Sequence, residues 1–167
     1  MLVKNTIHAN FKCSIERAFK TPILGDATKM LTGYGVIPAC IGFIDDETWG
    51  QAGGHRVPIT GGNLFTRQGR QAFDLILVRE ENKYWKWQID DFEPAMFFAS
   101  KAQGEWWCSQ NTDGTIAVQW DYTLYSRNIF THPITLVFVK IFWLGMQKMA
   151  IRKMKAIAES DITFVYR

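Results

Sequence analysis

The chain has 167 residues, 47% hydrophobic and 21% charged, with a formal net charge of +3. That composition suits one domain with a buried core and excludes a disordered chain. The charge is too small and too dispersed to make a nucleic-acid surface.

Seven Trp and twelve Phe raise the aromatic content to 14%, more than a compact core of this size requires, so a large aromatic-lined interior is one explanation. Cys13, Cys40 and Cys108 are odd in number and form no CxxC pair. Buried thiols in a reducing, cytoplasmic setting are the better reading than a disulfide framework. The N-terminal MLVKNTIHANFK lacks the apolar stretch of a signal peptide, so no export is expected.

In chain order, Val3, Asn5, Ile7, Ala9, Phe11 and Cys13 alternate with Lys4, Thr6, His8, Asn10 and Lys12, the period of a strand with one buried face. Ser14 caps a short helix over IERAFK that is expected to end before Pro22, and Asp26 caps a second over ATKML that stops at Gly33. Strands follow at 36–44 and at 55–60, the latter between glycines that allow the sheet to bend. A further strand starts at Phe65, resumes at Arg70 and runs to Glu80, with Phe73, Leu75 and Leu77 on one face. After the Glu81-Asn82 turn, Trp85, Trp87 and Ile89 alternate with Tyr84, Lys86 and Gln88, a hairpin. Strands at 96–110 and 115–125 complete seven, and only one of Trp106 and Trp107 can point inward.

The last long segment, 131–160, reads as a single helix capped by Thr131, with Pro133 in its first turn. Val139, Trp143, Met146, Ala150, Met154 and Ile157 recur at helical steps and share one face. Val137, Ile141 and Leu144 make the other face apolar at first, before it turns basic at Lys148, Arg152 and Lys155. The basic half reads as a solvated face rather than a contact for an acidic membrane, whereas the apolar half needs cover from the small helices or a homodimer contact. The apolar run is interrupted by Lys140 and is too short for a transmembrane span, so no stable membrane insertion is expected. Gly145 in mid-helix implies a close neighbour there, either sheet or ligand. One domain at 1–160 is expected, with a tail at 161–167 whose Ile162, Phe164 and Tyr166 could pair as an edge strand.

The stretch GGHRVPITGGN resembles a strand in which Gly-x-x-Arg leads to a hairpin, and NTDGTIAVQWDYTLY resembles a last strand in which Gly-Thr leads into Val and Trp. With the order strand, two short helices, six strands and long helix, the chain is similar to the START/birch-pollen-allergen-like superfamily, specifically its polyketide cyclase/dehydrase and lipid-transport members. The resemblance implies an α+β helix-grip fold: a curled seven-stranded antiparallel sheet around the C-terminal helix, with a cavity between them. Candidate lining residues are Phe73, Leu75, Trp85, Trp87, Trp106, Trp120 and Tyr122 from strands and Val139, Trp143, Met146 and Ala150 from the helix. Each of them is about as suited to filling a core as to lining a cavity.

Three functions stay open: binding a small hydrophobic, lipid-like or aromatic ligand; cyclase/dehydrase chemistry by acid and base groups; or an interaction module that uses the apolar helix face. Polar candidates are His55, Arg56, Asp74, Gln119 and Asp121. His55 and Arg56 are retained as catalytic candidates although strand geometry lets at most one face inward. Arg56 stands where the family has its Gly-x-x-Arg arginine, which would hold the strand or face the cavity mouth. Asp74 and Asp121 lie opposite the apolar stripes and read as solvated. No GxSxG, HExxH or GxxxxGK[ST] motif is present, GYGVIP lacks the third glycine of a dinucleotide fingerprint, and His8, His55 and His132 have no metal-ligand spacing; no metal or cofactor is expected.

Overall fold

A computed structural model describes residues 1–162 and 166. Strand β1 (Leu2–Phe11) buries Val3, Asn5, Ile7 and Phe11, the inward set of its alternation. Ser14 caps α1 (Ile15–Leu24), its hydroxyl accepting the Arg17 N–H at 3.3 Å. The expected end before Pro22 is corrected, because Pro22 lies within α1. A proline there removes the N–H that would pair with the Ala18 carbonyl, and the indole of Trp106 replaces it, Nε1 donating to Ala18 O at 3.2 Å. Trp85 donates to Phe19 O at 2.8 Å and Trp49 to Ile23 O at 3.1 Å. Three tryptophans thus donate to carbonyls of α1, one freed by Pro22 and one, Ile23, left open by the end of the helix.

Asp26 caps α2 (Ala27–Met30) by accepting the Thr28 N–H at 3.0 Å. Strand β2 (Cys40–Asp45) starts later than expected, since Tyr34 and Ile37 pair with each other as a turn. Then come β3 (His55–Thr60), β4 (Gly69–Arg70), β5 (Phe73–Glu80), β6 (Tyr84–Asp90), β7 (Ala99–Gln110) and β8 (Ile116–Ser126). They form one antiparallel sheet in the order β1-β8-β7-β6-β5-β3-β2, with β4 beside β3. The eighth strand is the two-residue β4; the strand expected from Phe65 is instead a loop with Leu64 and Phe65 exposed. A 3-10 turn at Pro94–Met96 takes the place of the first residues of the strand expected from Met96.

The sheet curls around a continuous helix from His132 to Glu159, made of α3 (His132–Val137), a π-helical segment (Phe138–Trp143) and α4 (Leu144–Glu159). Thr131 makes no side-chain cap, its hydroxyl donating instead to Asn128 O at 3.1 Å. The helix is long and apolar enough to cross a membrane, contrary to the expectation from sequence, but here Val139, Met146, Ala150 and Met154 are buried within the chain's own core. Buried Asn5 fastens it to β1, donating Nδ2 to the Val139 carbonyl at 2.8 Å while Oδ1 accepts from Lys140 Nζ at 3.0 Å. The close neighbour of Gly145 is neither sheet nor ligand but the Tyr34 ring, 2.2 Å from where a Cβ would stand. Leu144 is half-buried, whereas Val137 and Ile141 stay exposed. Of the residues expected to pair in the tail, Ile162 and Tyr166 are not in a strand and Phe164 lies outside the described residues.

The space enclosed by sheet and helix has two halves. Around α1 it is solid: Phe11, Phe19, Trp85 and Trp106 are fully buried, with Phe19 stacked on Trp85 at 4.7 Å. Under the first half of the C-terminal helix it is hollow.

Candidate functional site

The hollow arises because the concave face there carries short side chains. Ala72 on the run into β5, Pro58 and Thr60 on β3, Ala102 on β7 and Leu124 on β8 do not reach the helix, and a cavity of about 790 Å³ remains between them. Trp87, which would otherwise project into this space, lies down on β7 because Gly104 has no Cβ; one built there would stand 2.1 Å from the indole. Leu31, Val36 and Ile37 close one side, and Phe92, Met96 and Phe98 another. Phe65, Phe97, Ile134 and Val137 line the cavity and are also exposed, so they form its mouth.

The π segment supplies the aromatic roof. In an α-helix, positions four and five residues on from a reference differ by about 100° in direction, so only one can share its face. The wider turn brings both round: Phe142 and Trp143 lie 6.3 and 6.1 Å from Phe138, and all three line the cavity. Such segments recur at functional positions in helices. Trp143 also packs on Tyr122 of β8 at 4.4 Å.

The polar atoms in this cavity are few, and four of the buried ones, Trp143 Nε1 among them, are unpaired. Thr60 Oγ1, Asp74 Oδ1 and Tyr122 Oη are buried without a hydrogen-bond partner, and all three residues line the cavity. Burial pushes the Asp74 carboxyl up to about 7, an effect that Arg56 opposes and Asp90 reinforces. Burial, with Asp74 nearby, likewise holds the Tyr122 phenol well above its usual range. Arg56 stands opposite Asp74 in the β3–β5 register, but its guanidinium is spent elsewhere. It grips Asp45 through Nε–Oδ1 at 2.6 Å and Nη2–Oδ2 at 3.0 Å, held between the rings of Phe43 at 3.9 Å and Trp49 at 4.2 Å. Among the described residues lining the cavity, Asp74 is the only carboxylate, and none is Lys, Arg or His.

Of the lining candidates read from sequence, Tyr122, Trp143 and Met146 line the cavity. Trp85, Trp87, Trp106, Trp120, Val139 and Ala150 are buried in the surrounding core instead. Phe73 and Leu75 are corrected: they stand on the convex face, Leu75 paired with His55 and Phe73 stacked on the His55 ring at 5.0 Å. The inward face of β5 is Asp74 and Ile76, the opposite parity, so the dismissal of Asp74 is corrected with it. His55 is outside, joined to Asp46 at 2.7 Å, and Arg56 is an inward structural clamp that does not line the cavity; neither catalytic candidate reaches it. Asp121 is on the outer face of β8, but the expectation that it is solvated is corrected: it is buried, paired with Lys4 and accepting from Gln119 at 3.2 Å. Trp106 is the inward member of its pair, and Trp107 lies outside against Tyr84 at 5.0 Å. Among the described residues no group of three His, Cys, Asp or Glu is placed to hold a metal.

No family model matches the sequence, and no curated protein is significantly similar to it. Solved structures do share its fold. Ara h 8.0201 is 12% identical over 95% of this chain and 98% of its own, with a TM-score of 0.65. Ginseng major latex-like protein 151 from Panax ginseng is 10% identical, covering 94% and 97%, with a TM-score of 0.67. The di-domain ARO/CYC StfQ from the steffimycin biosynthetic pathway is 11% identical over 95% of this chain and 51% of its own, with a TM-score of 0.69. At such identities the likeness establishes the START/birch-pollen-allergen-like helix-grip fold.

Proposed function

We propose that the protein binds a small hydrophobic molecule in the cavity between sheet and helix. The observation that carries this is the cavity of about 790 Å³, walled by apolar side chains apart from a few polar groups. Space of that size and character is what ligand pockets offer. A ligand burying roughly 300 Å² of apolar surface would gain about 7 kcal/mol before the costs of association are met. The exposed phenylalanines at the mouth give such a molecule an apolar route in. Three free cysteines, two of them buried, fit a reducing compartment.

A second reading, aromatic cyclase/dehydrase chemistry in the same cavity, is favoured by the inward Asp74 and Tyr122 and by the name of StfQ. It is the lesser reading because both groups lack a hydrogen-bond partner, so no assembled acid–base pair is in place. A dimerisation module without ligand fits less well, since the interior under the helix is not filled.

Native mass spectrometry of freshly purified protein tests the binding reading. A bound small molecule, or a raised melting temperature with members of a lipid and polyphenol panel, is the expected result. Absence of both would overturn it, and turnover of an aromatic polyketide analogue would move the assignment to the enzyme.

A further inference from the structure

We infer that the ligand carries a protonated amine on an aromatic or polycyclic body, with the ammonium seated at Asp74. This rests on the cavity being a binding site and specifies the chemistry of its occupant. The cavity wall holds one carboxylate, no basic side chain and eight aromatic rings among the described residues. An acid placed alone in such surroundings is costly unless a positive charge joins it.

The protein does not supply that charge. The groups that act on Asp74 are Arg56 from β3, Asp90 from β6, Tyr122 from β8 and Cys40 from β2. Arg56 is the one cation among them, and its guanidinium is neutralised by the bidentate grip on Asp45. Asp90 adds to the deficit, while Tyr122 and Cys40 resist becoming anions. With Asp74 ionised, the local charge balance is therefore short by one cation, and Asp74 Oδ1 is without a partner.

An ammonium answers each of these features. It donates to Asp74 Oδ1, which is otherwise unpaired. Tyr122 and Trp143, 4.4 Å apart, and the neighbouring Phe142 present ring faces that attract cations. A carboxylate ligand would be repelled by Asp74, and an alcohol would leave its charge uncompensated. The proton balance sets the pH response. In the free protein Asp74 holds its proton below about 7, and that proton must leave before the ion pair forms, so amine affinity rises with pH up to neutrality.

The test compares pyrenylmethylamine with pyrenylmethanol, which share one ring system, by fluorescence titration of the full chain and of Asp74→Asn. The amine is expected to bind about tenfold or more tightly than the alcohol at pH 8, and Asp74→Asn to remove that advantage. Amine affinity of the unaltered chain should also fall from pH 8 to pH 6 with the alcohol unchanged, a measurement that needs no variant to fold. Equal binding of the two probes, a preference that survives in Asp74→Asn, or matching pH responses would overturn the amine assignment and leave the cavity reading standing. Failure of both probes and of a neutral hydrophobic dye to bind would overturn the two together.

Discussion

Asp74→Asn should stabilise the ligand-free protein, and only at pH values where the carboxyl would be charged. Its folded value of about 7, against an ordinary 3.8, is set mainly by burial. A shift of about three units at roughly 1.4 kcal/mol each bounds the penalty near 4 kcal/mol, and relaxation of the surroundings makes about 2–4 kcal/mol the working range. The sign follows from proton counts. Between about pH 4 and 7 the folded chain holds a proton that the unfolded chain has lost, so stability falls as pH rises through that window and then levels off. The amide carries no proton to lose, so the gap between variant and parent should be near zero at pH 4 and full by about pH 8. For a chain of this length, melting temperature should rise by about 6–12 °C at pH 8. Thermal melts followed by circular dichroism at several pH values read this directly. A variant no more stable than its parent at pH 8, or a gap that does not change with pH, would refute the reading that Asp74 is a desolvated carboxyl inside the cavity.

Gly104→Ala should destabilise by about 1–3 kcal/mol in urea titration, because the added methyl overlaps the Trp87 indole and forces it off β7. Asn5→Ala should cost about 1–3 kcal/mol by the same assay, removing the side-chain bonds that tie the Val139 carbonyl and Lys140 to β1. Trp143→Ala should weaken binding of a pyrene probe about tenfold, whereas Lys148→Ala, on the exposed side of α4, should change it less than about twofold. Equal effects in that pair would show that the helix presents a different face to the ligand.

Much of this fold is legible in alternation and helical step. β1, β6 and β8 each declare one inward set, and Val139, Met146, Ala150 and Met154 declare the core side of the helix. β5 misleads because FDLILV is apolar on both faces, so the one acid was taken to mark the outside. The acid is inside, and parity reverses with it. The π segment is equally silent, since no residue pattern in FVKIFW announces a wider turn. Most of all, a cavity is a matter of what fails to reach across. Ala72 and Ala102 make it by being short, while Trp85 and Trp106, conspicuous in the sequence, are large enough to meet α1 and fill their half. Pro22 misleads in turn because the partner for the freed Ala18 carbonyl comes from Trp106, 88 positions away in sequence.

Those indole bonds to α1 also decide which wall of the grip can yield. Lifting α1 would break three N–H···O bonds at once and expose the Phe19–Trp85 stack, an opening that costs far more than thermal fluctuation supplies. The fixed wall is therefore separate from the mouth, and entry of a ligand would fall to the loop carrying Phe65 and the turn carrying Phe97. Amide hydrogen exchange should show it as a gradient, slow along α1 and fast around those two phenylalanines, with a ligand slowing only the second.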